Sequence, residues 1–314
     1  EQDVVVKDSR RTVRINRKTG LMDSFVFDGK EYLNGPIFVP TIFDDNEDPW
    51  GWRFYNLTDN QFNEHSWPLK EQKSTLKNFK LDKELKGPFK NLESVTVIED
   101  GKFLTEVQSL FKKDTSYVAI VYRIYHDTKF IDINVKTIWN EQRKGLKLKF
   151  PINSNSKYFA QAAYGVDFYP NNGYEFPMNR FVGVPNGGEA LVIYNRSGIH
   201  SVSRKGKNLY LTLLNGACWC AHPTSDTVSL TDPDKYIPSV EQGTHSFQLR
   251  MMVNKFDECE KYSNEFNEPL YNVMYYPHGE GDTVNASLTL TNSNIVIKAF
   301  KRRNDGTYLI RLYN

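Results

Sequence analysis

Cysteine is scarce in this chain of 314 residues: Cys218, Cys220 and Cys259 are all there are. An odd and small number excludes a disulfide framework in a chain of this size, so reduced thiols are expected. A single residue separates Cys218 from Cys220. Zinc sites built from cysteine usually repeat a Cys-x2-Cys pair, and no second pair exists, so no metal site is read here. Long apolar runs are missing as well. Hydrophobic residues make up 39% of the chain, but none of them line up over the ~20 positions a membrane helix needs, and no membrane partner is expected. Charge of one sign is also lacking. Forty Lys and Arg against 38 Asp and Glu leave a formal net charge of +2, with no basic stripe, which argues against nucleic acid. His65, His126, His200, His222, His245 and His278 are scattered without a matching glutamate pattern, which argues against an epimerase needing a histidine acid and a glutamate base in one cleft. The chain begins at Glu1 without a signal-like segment, so a processed chain or a piece of something longer is expected. The sequons at Asn56, Asn195 and Asn285 do not decide the compartment; it is left unknown, with the cytoplasm favoured.

What the chain has in abundance is alternation. In Phe130–Trp139, Ile131, Ile133, Val135, Thr137 and Trp139 share one side and Asp132, Asn134 and Lys136 the other, the period of a half-buried strand. A polar break at 141–145 ends in Gly145. Leu146, Leu148 and Phe150 then point in and Lys147 and Lys149 out, until Pro151 stops the strand. Tyr117–Tyr125 is apolar on both sides, with Val118, Ile120 and Tyr122 against Ala119 and Val121, which predicts a strand covered on both faces. Thr12–Ile15 and Ser24–Phe27 open the chain as a meander, with Asp28-Gly29 a hairpin turn. Further strands are predicted over 92–98, 103–111, 190–194, 209–213 and 247–253. The period changes in Asn254–Asn267, where Phe256, Cys259, Tyr262 and Phe266 fall three and four apart, an amphipathic helix. Strands resume over 284–290, 294–301 and 308–313. The class is therefore all-β, antiparallel, with one convincing helix.

Candidate functional residues are few. Asp48, Trp50 and Trp52 combine carboxylate and indole, the pairing with which a sugar site accepts hydroxyls and stacks on a pyranose; the same stretch also suits a rigid turn packed on two tryptophans. Asp44, Asn46 and Asp48 alternate like a calcium loop, but Pro49 stands where the glycine belongs and no closing glutamate follows. Arg180 suits either a substrate contact or an interstrand ion pair. His245 sits at the mouth of a strand, where it reads as a rim residue rather than a base. A long Asp-, Pro- and Ser-rich loop spans 218–242, and loops of that length usually cover or reach something.

These segments carry a resemblance. Trp139, Glu141, Leu146, Lys147, Phe150 and Pro151 are similar to the Trp-x-Glu and Leu-Lys-x-x-Phe-Pro strands of glycoside hydrolase family 38, the α-mannosidases; Ile138 stands where the family often has an acid. Pro177, Arg180 and Phe181 resemble its Pro-x-x-Arg-aromatic element, Gly243, His245 and Phe247 its Gly-x-His-x-Phe lead-in, and Asp48-Pro-Trp50 its acidic Asp-x-Trp turn. The last twenty residues resemble the family ending. Asn215-Gly216-Ala217 replaces the family's Arg-Ser-Pro.

The resemblance covers nearly the whole chain and implies its C-terminal part. The fold it implies is a large antiparallel supersandwich, galactose mutarotase-like, over residues 1–267, followed by a small β-sandwich over 268–314. It also implies that retaining hydrolysis of α-mannosides, with an aspartate nucleophile, an acid/base carboxylate and zinc, belongs to an N-terminal catalytic domain. No Asp-x-Phe-Gly-His-type motif occurs here. The chain alone is therefore expected to lack catalytic residues and cofactors, to pack on its own catalytic domain, and to offer Asp48, Trp50, Trp52 and Arg180 to a mannoside. A free-standing carbohydrate-binding module is the alternative, and a mutarotase-like epimerase the second.

Overall fold

The computed structural model describes residues 2–44, 77–78, 80–81, 94–142, 144–163, 165–216, 239–268, 274, 276, 279, 288–292 and 295–313. The chain divides into two compact units, Glu1–Pro269 and Leu270–Asn314.

In the first unit the described strands form antiparallel sheets of four, ten and six strands. The small sheet is the predicted meander, Val4–Lys7, Arg11–Asn16, Leu21–Phe27 and Lys30–Glu31. Asp28 and Gly29 both take positive φ, 47° and 76°, as a two-residue turn between twisted strands requires. The ten-stranded sheet runs Gly165–Tyr169, Tyr158–Ala162, Phe181–Asn186, Glu189–Asn195, Gly243–Asn254, Phe130–Trp139, Ser116–Tyr125, Leu104–Lys113 and Lys80–Leu81, with Val95–Asp100 also paired to Leu104–Lys113. The six-stranded sheet runs Glu175–Pro177, Ser201–Lys205, Asn208–Leu214, Lys144–Pro151, Val39–Asp44 and Lys77–Asn78.

The inner faces of the three sheets share one buried cluster. Alternation places Val118, Ile120, Tyr122 and Ile124 of one strand in it with no exposed surface. Phe38 joins the two large sheets edge-on, its ring 5.7 Å from Tyr122 and 4.9 Å from Phe150. Arg11, 2% exposed, fastens the small sheet to the large one. Its Nη1 donates to the Phe130 carbonyl at 2.8 Å, its Nη2 to that of Tyr125, and its Nε to Asp8 Oδ2 at 2.5 Å. The all-β antiparallel expectation holds.

The predicted helix is present as a 3-10 turn, Phe256–Glu258, leading into the α-helix Cys259–Asn267. The Glu258 carboxylate accepts from the Lys255 amide at 3.1 Å and closes the turn. Cys259, Ser263 and Phe266 are buried, and the helix lies on the outer face of the ten-stranded sheet against Phe181, Val192, Tyr194 and Met252.

Two local expectations need correcting. Gly145 does not close a polar break; it lies inside the strand Lys144–Pro151, opposite Phe43. A Cβ there would come within 2.1 Å of the Phe43 ring, so the glycine makes room for an aromatic. Lys147 faces away from the core as expected, yet it is 1% exposed, for reasons given below.

In the second unit the described strands form a hairpin, Val296–Arg302 with Tyr308–Tyr313, on which the Phe300 and Tyr308 rings stack at 5.2 Å.

Candidate functional site

The outer face of the ten-stranded sheet is unequally covered. The helix shields the half formed by Phe181–Asn186, Glu189–Asn195 and the end of Gly243–Asn254. Among the described residues nothing covers the half formed by Leu104–Lys113, Ser116–Tyr125, Phe130–Trp139 and the start of Gly243–Asn254, which forms a trough of about 540 Å³. A smaller hollow of about 210 Å³ shares Arg123, Asn134 and Gln248 with it and ends at Glu265 and Phe266 of the helix.

Strand register lays the trough out in rows. Glu106, Arg123, Asp132 and Arg250 lie side by side across four strands with alternating charge. Arg123 Nε donates to Glu106 at 2.8 Å, and Arg250 donates to both oxygens of Asp132 at 2.6 and 2.9 Å. The Arg250 guanidinium also lies 3.8 Å from the centre of the Phe130 ring and 4.7 Å from that of Phe266, which fixes its plane. In the next row Gln108, Val121, Asn134 and Gln248 are neighbours, and in the third Ala119, Lys136 and Ser246. Within the described residues, the side chains of Gln108, Asn134, Lys136, Ser246 and Gln248 hold no hydrogen bond. Each amide offers two donors and an acceptor to whatever enters.

A second polar cluster lies within the six-stranded sheet. Lys147 Nζ donates to Glu175 Oε2 and to Thr212 Oγ1, both at 2.7 Å, and stands 4.8 Å from the Phe43 ring centre. Ser201 Oγ donates to Glu175 Oε1 at 2.7 Å, and Thr212 Oγ1 reaches the same oxygen. Burial pushes the Glu175 carboxyl up, but the Lys147 charge and the hydrogen bonds from Lys147, Thr212 and Ser201 outweigh it and hold the group below the usual carboxylate range. With 1% of Lys147 exposed, the cluster holds strands together and has no surface to offer a substrate.

Of the residues singled out in the sequence, Asp48, Trp50 and Trp52 lie outside the described residues. Arg180 is half-buried away from the trough; its Nη1 donates to Asn264 Oδ1 at 2.9 Å and lies 3.4 Å from Glu268 Oε1, bracing the helix. His245 Nε2 lies 2.8 Å from the Glu241 carbonyl oxygen. Among the described residues no group of three or more His, Cys, Asp and Glu side chains could hold a metal ion, so a zinc site finds no fit there. The trough residues were not recognised in the sequence. Their signal is the polar alternate positions of Phe130–Trp139, which only strand register joins to Gln108 and Gln248.

Residues 6–234 match the family described as glycosyl hydrolases family 38 C-terminal domain. The chain belongs to that family. As a family 38 C-terminal domain it also shares its fold with solved structures. One is an α-mannosidase from Enterococcus faecalis V583, at a TM-score of 0.70 and 12% identity over 99% of this chain and 36% of that one. Another is a glycosyl hydrolase family 38 protein from Enterococcus faecalis, at 0.71 and 13% over 99% and 38%. The domain thus spans little more than a third of the length of either. A galactose 1-epimerase from Lactobacillus acidophilus NCFM is similar at a TM-score of 0.39 and 6% identity, over 81% of this chain and 94% of that one. No curated protein sequence matches the chain.

Proposed function

We propose that this family 38 C-terminal domain is the non-catalytic β region of an α-mannosidase-like hydrolase. It packs on a catalytic domain and shapes the cleft in which that domain hydrolyses α-mannosides with retention. The observation that carries this reading is the length relation: the fold is shared from end to end with about a third of an α-mannosidase chain. In this reading, zinc and the carboxylate pair belong to the catalytic domain, and this chain contributes contacts. Asp48, Trp50 and Trp52 are the residues offered to the sugar, while Arg180, already serving Asn264 and Glu268, braces the helix.

The test has two arms. The chain alone, supplied with zinc and an aryl α-mannoside, is expected to give no turnover, whereas a polypeptide joining it to the catalytic domain encoded upstream hydrolyses the same compound. Hydrolysis by the isolated chain, or an upstream reading frame without such a domain, overturns the proposal.

A further inference from the structure

We infer that the open trough of the ten-stranded sheet is a binding site for a neutral pyranoside. Three features of the trough select that chemistry. Its floor is aliphatic at Val121 and Ala119, half-buried positions on a strand whose both faces are apolar. Such a floor accepts an apolar cover, and the C–H face of a sugar ring is one. Its middle row carries Gln108, Asn134 and Gln248, planar groups that donate and accept at once, as ring hydroxyls do. Its outer row spends its charges internally, Arg123 on Glu106 and Arg250 on Asp132, so a charged ligand finds little net field while a hydroxyl finds rigid, polarised partners. Lys136 and Arg196 bring further positive charge to the rim, and Glu265 offsets part of it. The volume of about 540 Å³ lies within the range of about 300–1,000 Å³ typical of small-ligand sites.

The site is made of the trough residues named above and does not need a catalytic domain. Only the choice of a mannoside as first probe rests on the proposed function.

The 314-residue chain is titrated by calorimetry with methyl α-mannopyranoside, methyl α-glucopyranoside, methyl α-galactopyranoside and mannose 6-phosphate. Saturable millimolar binding of at least one neutral glycoside is expected. Asn134→Ala and Gln248→Ala should each weaken it by about tenfold, and Lys205→Ala, on the other sheet, should leave it unchanged. Val121→Trp, which fills the floor from an open face, should abolish binding at an unchanged thermal midpoint, so that loss of fold is not mistaken for loss of site. If the glucoside or galactoside binds and the mannoside does not, the site stands and only the mannoside expectation falls. No saturation by any neutral glycoside, binding indifferent to the trough variants, or tighter binding of the phosphorylated sugar overturns the inference. So does a dimer of the chain that Val121→Trp dissociates, since the trough would then be covered by a second copy.

Discussion

Lys147 Nζ and Glu175 Oε2 stand 2.7 Å apart inside the six-stranded sheet, with 1% and 11% of their side chains exposed. Two charges so far from water are tolerated because Thr212 and Ser201 complete their hydrogen bonds.

Removing one member is therefore expected to cost more than a surface pair would. Lys147→Met should lower stability by about 3–5 kcal/mol, the cost of leaving a carboxylate buried without its partner, and Glu175→Leu on that background should restore part of the loss. Urea denaturation of the unaltered chain and the two variants measures this; a double variant as unstable as Lys147→Met argues against the pairing.

The same pair sets an acid limit. Because Glu175 titrates lower in the folded chain than its ordinary value of 4.5, its contribution is fully present above the unfolded pKa. It fades as pH falls through the lower, folded one. Thermal midpoints followed from neutral pH down to about 3 should fall in that acid window, and Glu175→Gln, though less stable throughout, should fall less steeply. Parallel curves would show that Glu175 is not responsible.

Asn195 begins a sequon, yet the residue is 3% exposed. Its Nδ2 donates to the carbonyls of Asn179 and Ile199 at 2.7 and 2.9 Å, and its Oδ1 accepts from the Ser197 amide at 2.9 Å. A glycan on that nitrogen is incompatible with the fold. Folded protein secreted from a eukaryotic host should carry no sugar at this position by peptide mass spectrometry. Asn195→Ala should cost about 1–3 kcal/mol through the two stranded carbonyls.

Cys259 is buried, with the Asn254 amide at 3.2 Å from its sulfur. Burial is the main influence and pushes the thiol up to about 11, which leaves about one thiolate in ten thousand at neutral pH. Iodoacetamide should spare the Cys259 peptide in the folded chain and modify it in urea. Rapid native labelling would place the sulfur at the surface.

Much of this architecture was legible in the residues. Alternation marked the core strands because neighbouring side chains in a strand face opposite ways. The change to spacings of three and four marked the helix, and Asp28-Gly29 marked its turn through positive φ. Lys147 was not legible as a buried residue, since nothing in Leu-Lys-Leu-Lys separates a lysine that meets a glutamate from one that meets water. Tyr117–Tyr125 was legible on one face only. Its two apolar faces predict two covering layers, whereas among the described residues Ala119 and Val121 line an open trough.

By itself, then, the sequence determined which apolar residues of the core strands face inward, that a helix lies within 254–267, and which family the motifs resemble, because these depend on neighbours a few positions away. Only the tertiary structure decided that Glu106, Arg123, Asp132 and Arg250 form one row and Gln108, Asn134 and Gln248 the next. A shift of one residue in any pairing turns a strand over. The register that prevents it is fixed by the packing of all the inner side chains together.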